Sequence, residues 1–280
     1  MKYKDVYAEG CKHLLDKQIE NAKLDARLLL EFICHTNRND LLAHGEREVS
    51  AEDHRKYQQV IGKREQHIPM QYITGSQEFM GLQFKVNENV LIPRQDTEIL
   101  VEEAMLHLHD GMHILDMCTG SGCILLSLLH YSNDCIGTGV DISAEALAIA
   151  VENAENLEIA ADFVQSDLFQ QLKTNEKYDM LVSNPPYIQT KVVENLMPEV
   201  REHEPMIALD GKEDGLFFYE RIIAECGAYL NRGASVLFEI GYDQGQQVKE
   251  LMEQQGYRGV AVMKDFAGLD RVVTGTFVKG

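Results

Sequence analysis

The sequence lacks the long apolar run that a membrane-spanning helix requires. No stretch reaches the roughly 18 consecutive apolar residues that would cross a bilayer. The first residues, Met1 to Asp5, carry no apolar segment behind their charges, so no signal peptide is expected. The chain is therefore expected to work in the cytoplasm and to have no membrane partner.

Basic residues are also scarce. The chain has 26 lysines and arginines against 45 aspartates and glutamates, a net charge of −19 with neutral histidines. A protein that holds nucleic acid by general attraction to phosphates needs a positive face, so no nucleic-acid partner is expected. The length of 280 residues and the hydrophobic content of 45% are enough for a sizeable core in one large domain or two.

The six cysteines form no CxxC pair, and no zinc-type ligand spacing is present. His107, His109 and His113 do not share one helix face, because their spacing does not match a helical turn. We therefore expect reduced thiols and no metal site.

The excess of acidic over basic residues begins near residue 75. Residues 1–75 contain 12 basic and 12 acidic side chains, whereas residues 76–280 contain 14 and 33. The neutral part shows only helical patterns, at 3–15, at 25–34 and from a Ser50 cap to about Gln66. Such a change of charge and pattern predicts a domain boundary, with a bundle of four or five helices before it.

Residues 77–92 predict a β-hairpin around the turn 87–89, ended by Pro93, and Asp96 or Thr97 is expected to cap a helix to about Leu108. From residue 112 strands and helices alternate, which predicts a doubly wound, mostly parallel α/β sheet with its ligand at the carboxyl ends of the strands. The last two strands follow each other directly and are expected to be antiparallel. The predicted strands are 113–116, 134–140, 162–164, 178–183, 234–240, 257–263 and 271–278, and the predicted helices are 123–130, 144–154, 216–230 and 244–255.

The first motif is the loop from Asp116 to Gly122, between a strand and a helix. It has no lysine, which excludes a P-loop, and Leu125 breaks the GxGxxG pattern counted from Gly120. What remains is similar to the D/E-x-G-x-G-x-G loop of class I S-adenosylmethionine-dependent methyltransferases, with Cys118 at the first glycine. The alternative is a glycine turn without a ligand. The donor-binding candidates here are Asp116, Cys118, Thr119, Gly120, Ser121 and Gly122.

Two further acids follow the next strands. Asp141 ends the second strand, where a carboxylate can accept hydrogen bonds from both ribose hydroxyls; its alternative role is a helix N-cap. Asp167 follows the third strand and could bind the adenine amino group, with Phe169 against the ring. The alternative for Asp167 is an ordinary solvent loop.

The second motif, Asn184-Pro185-Pro186-Tyr187, directly ends the fourth strand. Two prolines remove two backbone donors and favour extended geometry before them, which gives a stiff loop. The Asn184 oxygen and the Pro185 carbonyl can each accept one N–H of a planar –NH2 group, and Tyr187 can pack against it. This fits glutamine, adenine or cytosine as methyl acceptor, and the loop alone does not choose among them.

Further motifs give the whole chain a resemblance to the release-factor glutamine methyltransferases, the PrmC/HemK family. One departure is Gln95, where the family usually has proline. Together the motifs span about residues 66–275. They are Gln71-Tyr72-Ile73-Thr74-Gly75, residues 91–98, Asn184-Pro185-Pro186-Tyr187-Ile188, Glu204-Pro205, Ala208-Leu209-Asp210-Gly211, Asp214-Gly215-Leu216 and residues 264–271.

The resemblance implies methylation of N5 of the glutamine in the Gly-Gly-Gln loop of class 1 peptide chain release factors, with S-adenosyl-L-methionine as donor. It implies three parts: a helical release-factor-docking domain at 1–75, a β-hairpin linker at 76–95 and a Rossmann-like methyltransferase domain at 96–280. It also suggests a monomer. The acidic domain could attract a basic substrate loop.

The resemblance assigns roles by position. Cys118 to Gly122, Asp141, Phe169 and Asn184 match contacts to the methyl donor. Asn184 to Tyr187 match the site of the substrate glutamine. Arg94, Thr97 and Glu98 either line the site or support the linker.

Three alternatives remain. One is an adenine-N6 methyltransferase acting on nucleic acid, which would need a basic groove and a target-recognition region. Another is glutamine methylation of a ribosomal protein. The third is a non-catalytic protein that binds S-adenosylmethionine, against which the intact Asn-Pro-Pro-Tyr loop argues.

Overall fold

The computed structural model describes residues 1–278 and divides into two compact units. The first unit contains Met1–Gly75 and Met197–His203. The second contains Ser76–Leu196 and the chain from Glu204 onward. No helix within residues 1–278 combines the length and the apolar character needed to span a bilayer.

The first unit is helical. Its apolar core comes from the inward faces of the longer helices and includes Leu14, Leu30 and Tyr57. Ser50 caps the fourth helix as expected, because its hydroxyl oxygen accepts the Asp53 N–H at 3.0 Å. The helices are α1 (Tyr3–Asp16), α2 (Ala22–Cys34), α3 (Arg38–Ala43), α4 (Ala51–Arg64) and α5 (Met70–Thr74).

A buried ion cluster lies in this unit. The Arg64 Nε donates to Asp25 Oδ2 at 2.8 Å, and its Nη2 pairs with Glu199 from the segment Met197–His203. Burial raises the pKa of the Asp25 carboxyl group, and the Arg64 guanidinium opposes that rise. One guanidinium therefore joins residues distant in sequence.

The β-hairpin is made of β1 (Ser76–Phe79) and β2 (Leu82–Lys85), so the predicted turn at 87–89 is wrong. The turn lies at Met80 and Gly81, which have φ angles of 50° and 73°. Tight two-residue hairpin turns need such positive φ values because they match the twist of the strands. Residues 87–89 follow the second strand and form no strand of their own.

The next helix, α6 (Gln95–Met105), starts earlier than predicted. Arg94 stands at the N-cap position and makes no side-chain capping bond. Asp96 and Thr97 lie inside the first turn, where an acid favours the helix dipole. Thr97 is buried, so its hydroxyl is directed to the interior rather than to the helix end.

The seven-stranded sheet confirms the predicted doubly wound fold. Its order is β5-β4-β3-β6-β7-β9-β8, with parallel pairs from β5 to β7 and antiparallel pairs on both sides of β9. The expected antiparallel arrangement of the last two strands is confirmed. The strands are β3 (His113–Met117), β4 (Ile136–Asp141), β5 (Asp162–Gln165), β6 (Tyr178–Ser183), β7 (Leu230–Glu239), β8 (Arg258–Lys264) and β9 (Asp270–Thr276).

The predicted helix 216–230 is too long. It ends at Glu225, a short 3-10 turn follows at Cys226–Ala228, and the chain then enters the sheet, where Tyr229 O accepts the Tyr178 N–H at 2.9 Å. Three short helices between 190 and 209 were not predicted. The remaining helices are α7 (Cys123–His130), α8 (Ala144–Asn156), α9 (Thr190–Val193), α10 (Pro198–His203), α11 (Met206–Leu209), α12 (Phe217–Glu225) and α13 (Gly245–Gln254).

The order of the strands reverses at β3, which pairs with β4 on one side and β6 on the other. In an open α/β sheet such a switch point leaves a crevice beyond the carboxyl ends of the strands. The two sequence motifs leave β3 and β6, so the topology brings them to this crevice as neighbours.

Candidate active site

A cavity of about 330 Å³ lies at this edge of the second unit. That volume is within the range of small-molecule sites. Six of the predicted site residues do not line it: Asp116, Gly122, Phe169, Pro185, Tyr187 and Glu98. Those that do are Arg94, Thr97, Cys118, Thr119, Gly120, Ser121, Asp141, Asp167, Asn184 and Pro186.

Asp116 lies beneath the first loop. Its carboxyl group is fully buried, and Oδ2 accepts the Thr119 hydroxyl at 2.6 Å. Thr119 also donates its backbone N–H to Val140 O at 2.9 Å. Burial raises the pKa of Asp116 to about 7, and the hydrogen bond from Thr119 opposes that rise. Asp116 thus supports the loop from below.

The loop reverses direction through left-handed residues. Cys118, Gly120 and Gly122 have φ angles of 63°, 55° and 79°. The conformation explains why glycine suits these positions, and Cys118 adopts it at a cost of about 1–2 kcal/mol. Burial raises the pKa of the Cys118 thiol well above its ordinary value, so the group stays neutral.

Asp141 connects this loop to the next strand. Its Oδ2 accepts the Gly120 N–H at 2.9 Å and its Oδ1 accepts the Ser143 N–H at 3.0 Å. The helix cap is Ser143, whose hydroxyl oxygen accepts the Ala146 N–H at 3.0 Å, so Asp141 does not cap the helix. Each carboxylate oxygen keeps a further lone pair for a ligand hydroxyl at the cavity wall.

Asp167 lines the cavity and is held in place from both sides. Its Oδ1 pairs with Arg221 at 2.9 Å, and its Oδ2 accepts from Gln170 at 2.9 Å. Phe169 does not reach the cavity, contrary to the prediction. It stacks on Tyr229 in the core with the ring centroids 4.9 Å apart.

The Asn-Pro-Pro-Tyr loop presents one polar group to the cavity. Asn184 donates its Nδ2–H to Thr97 Oγ1 at 3.3 Å, which leaves its Oδ1 available as an acceptor. Tyr187 has its hydroxyl directed away from the cavity, where it donates to Glu239 Oε1 at 3.3 Å. Tyr187 does not line the cavity, and its contact with a planar amide stays a prediction.

The segment 208–216 supports this loop from behind. A Cβ atom added at Gly211 would lie 2.7 Å from Tyr187 Cα, and one at Gly215 would lie 2.3 Å from Tyr187 O. Gln244 donates its Nε2–H to Tyr187 O at 3.1 Å. The two glycines thus allow a close approach of backbones that fixes the loop.

Arg94, Thr97 and Glu98 make different contacts. Arg94 lines the cavity and pairs with Glu204, and Thr97 lines it beside Asn184. Glu98 supports the hairpin, because its Oε1 accepts the Met80 N–H at 2.7 Å. The two alternatives for these residues were to line the site or to support the linker, and the contact of Glu98 matches the second.

Two residues near the site were missed from the sequence. The Asn153 Nδ2 donates to Ser121 O at 2.9 Å and to Lys85 O at 3.1 Å, which ties the loop to the hairpin. Glu239, 2% exposed, accepts the Tyr187 hydroxyl at Oε1, and its Oε2 has no hydrogen-bond partner within residues 1–278. Burial raises the pKa of Glu239 to about 7. The sequence signal that could have identified Glu239 is a single acidic residue within the apolar run 234–240.

Comparison with known proteins covers both units. A family model of the PrmC N-terminal domain matches residues 5–75, and one of the methyltransferase small domain matches residues 95–203. A methyltransferase structure from Pyrococcus furiosus shows a similar fold, with a TM-score of 0.52 at 16% identity, covering 71% of this chain and 90% of that one.

Two relatives are similar over nearly their full lengths. The release factor glutamine methyltransferase of Moorella thermoacetica is 41% identical, covering 97% of both chains. That of Clostridium botulinum is 39% identical, covering 96% of this chain and 97% of its own. These matches confirm the resemblance drawn from the motifs. The chain belongs to the release factor glutamine methyltransferase family.

Proposed function

We propose that this chain transfers a methyl group from S-adenosyl-L-methionine to the side-chain N5 of the glutamine in the Gly-Gly-Gln loop of class 1 peptide chain release factors. The observation that carries the proposal is the Asn184 amide, whose nitrogen is engaged by Thr97 and whose oxygen is left to accept. The names of the relatives at 39% and 41% identity support this acceptor over adenine. Release factors act in the cytoplasm, and the proposal assigns the chain to that compartment.

The cavity residues fit the methyl donor. Asp141 would accept hydrogen bonds from the two ribose hydroxyls, since both of its oxygens retain a lone pair. The backbone of the loop Cys118–Gly122 would approach the donor closely, and Asp167 would receive the adenine amino group. When bound, the donor supplies a methyl group that its sulfonium makes electrophilic.

The protein's own task is to position the acceptor. An amide nitrogen is a poor nucleophile because its lone pair is delocalised into the carbonyl group. The Asn184 oxygen would accept one N–H of the glutamine amide and the Pro185 carbonyl the other, which aims the nitrogen at the methyl carbon. The N–C bond forms as the C–S bond breaks, and the nitrogen releases a proton to water. Such positioning can lower the barrier by about 7–11 kcal/mol at best.

We propose further that the helical unit at 1–75 docks the release factor. A stripe of apolar side chains on α2 supports this: Leu24, Leu28 and Phe32 recur every four residues and are 44%, 38% and 42% exposed. Serine at all three positions is expected to raise the KM for the intact release factor about tenfold, with an unchanged Kd for the donor. An unchanged KM would exclude this stripe as the docking face.

Transfer of labelled methyl groups tests the activity. The acceptors are an unmodified class 1 release factor, its Gln→Ala loop variant and unmethylated DNA, with Asn184→Ala as control enzyme. Label on the intact release factor alone, absent with either variant, is the expected result. Label on DNA would overturn the proposal in favour of adenine methylation, and donor binding without any transfer would favour a non-catalytic role.

A further inference from the structure

The sequence motif 264–271 takes no part in the proposed chemistry and forms the turn between β8 and β9. Hydrogen bonds of one aspartate close this turn. Asp265 Oδ1 accepts the N–H groups of Ala267 and Leu269, both at 2.9 Å. The Asp265 backbone donates to Leu269 O at 2.8 Å and accepts the Gly268 N–H at 2.9 Å. Four hydrogen bonds therefore hold the backbone of the turn in place.

Phe266 stands at the tip of this turn and is 97% exposed, more than any other large apolar side chain that the structure describes. Leu269 is 45% exposed, and Tyr242, in the loop after β7, is 63% exposed. The two loops are neighbours, since the Ile240 N–H donates to Arg271 O at 2.9 Å. We call Phe266, Leu269 and Tyr242 the apolar rim. Aromatic side chains are enriched in protein interfaces, whereas the fold gains nothing from a ring in water.

The apolar rim lies at the same edge of the sheet as the cavity. β7 is parallel to β6 and antiparallel to β9, and Glu239 at the end of β7 pairs with Val272 near the start of β9. The turn before β9 therefore lies beyond the carboxyl end of β7, at the edge where the Asn-Pro-Pro-Tyr loop leaves β6. Two strand spacings separate β6 from β9, a distance across the sheet of about 10 Å.

One arginine joins the turn to the wall of the cavity. Arg271 Nη2 pairs with Asp265 Oδ2 at 3.2 Å and with Asp96 Oδ2 at 3.1 Å. Asp96 lies in the first turn of α6, and its sequence neighbours Arg94 and Thr97 line the cavity. The surface is therefore continuous from the cavity to the apolar rim, so a protein that covers the cavity also reaches the rim.

The charges of the turn favour an apolar contact. Residues 264–271 carry two basic and two acidic side chains, a net charge of zero. Lys264 Nζ pairs with Asp270 Oδ1 at 2.6 Å, and Arg271 is paired with Asp265 as described. Because both cations already have carboxylate partners, the turn is poorly suited to the phosphates of a nucleic acid.

We propose that the apolar rim is a docking surface for the class 1 release factor whose glutamine enters the cavity. The inference rests on the proposed function for the identity of this partner. A glutamine that reaches Asn184 belongs to a loop, so the folded domain that carries the loop must lie over the edge of the sheet around the cavity. The rim offers that domain an aromatic anchor, Phe266, on a backbone that binding does not have to order.

Binding of an unmodified class 1 release factor to the full chain tests this surface without methyl transfer. Phe266→Ser is expected to raise the Kd for the release factor about 10- to 30-fold, because the complex loses a central aromatic contact. The Kd for S-adenosyl-L-methionine should stay unchanged, which shows that the variant is folded. The matched control is Leu106→Ser, 76% exposed at the other end of α6, with an unchanged Kd for the release factor.

A photoreactive benzophenone amino acid in place of Phe266 gives a second readout. The expected cross-link is to the release-factor domain that carries the Gly-Gly-Gln loop. An unchanged Kd with Phe266→Ser, a cross-link only to a second copy of this chain, or a wild-type chain that does not bind the release factor would overturn the inference. Release-factor binding that Phe266→Ser weakens, without any methyl transfer, would instead overturn the proposed function alone.

Discussion

Ser183 donates its side-chain hydroxyl to the backbone oxygen of Met117 at 2.5 Å, and this bond joins the last residues of the two strands that carry the motif loops. Ser183 is fully buried. The bond therefore sets the spacing between the donor loop and the Asn-Pro-Pro-Tyr loop where both begin.

Ser183→Ala should lower the free energy of unfolding by about 1–3 kcal/mol and also lower kcat, because a buried acceptor loses its donor and the two loops lose a shared anchor. The matched control is Ser127→Ala. Ser127 is equally buried, but its hydroxyl has no partner within residues 1–278, so its loss should be nearly neutral. Urea unfolding and single-turnover methyl transfer measure the two effects. Equal effects from both substitutions would contradict this role of Ser183.

Cys118 allows a test of backbone strain. Its φ of 63° favours glycine, so Cys118→Gly should be more stable than Cys118→Ala by about 0.5–1 kcal/mol after the entropy that glycine loses on folding. At a position with negative φ the alanine variant would be the more stable of the two. The sign of the stability difference therefore shows whether the backbone is strained at residue 118. Thermal unfolding of the two variants measures it, and an alanine variant as stable as the glycine variant would show that the position carries no strain.

Asp116 predicts a pH dependence of stability. Its pKa of about 7 in the folded chain exceeds the ordinary unfolded value of about 3.9, so the folded state holds an extra proton between these pH values. The contribution of Asp116 to stability is therefore full below about pH 4 and is lost as pH rises towards 7, by at most about 1.4 kcal/mol per pH unit.

Asp116→Asn keeps an oxygen for Thr119 but cannot ionise. Its stability relative to the wild-type chain should therefore improve as pH rises from 4 to about 7 and then level off. Urea unfolding of both proteins at each pH gives the difference between their free energies of unfolding. The titration of groups that both proteins share, such as Glu239, cancels in that difference. A difference that stays constant with pH would mean that Asp116 has an ordinary pKa.

Arg64→Met should destabilise the first unit by about 3–5 kcal/mol, because it leaves the buried Asp25 carboxylate without its partner. Adding Asp25→Asn should recover part of this loss. The control is Arg55→Met on the exposed side of the same helix, expected to change stability by less than about 0.5 kcal/mol. Comparable losses from both arginines, in denaturant unfolding, would refute the importance of the buried cluster.

The sequence predicted the helices and strands that follow from the hydrophobic pattern, and the loops that carry recognisable motifs. The strand 178–183 and the helix 123–130 have the predicted bounds, because each is a mostly apolar segment between clear end signals. The hairpin turn was misplaced because the positive φ of Met80 has no signal in its residue type, whereas 87–89 has typical turn residues.

Side-chain direction was harder to predict than position in the chain. Phe169 and Tyr187 follow the right strands, yet both are directed away from the cavity, because apolar rings gain more from burial in the core. Glu239 was missed because it is a member of an apolar strand, and its hydrogen bond comes from Tyr187, which is distant in sequence. Such contacts depend on the tertiary fold and leave little trace in local sequence.

The membership of Met197–His203 in the first unit bears on the order of folding during synthesis. When residues 1–75 have left the ribosome, Arg64 can pair with Asp25, but Glu199 has not yet been made. At bacterial rates of about 5–20 residues per second, the remaining stretch takes on the order of ten seconds to translate. During that interval the helical unit exists in an incomplete form, and the nascent second unit must be largely extruded before the first is finished.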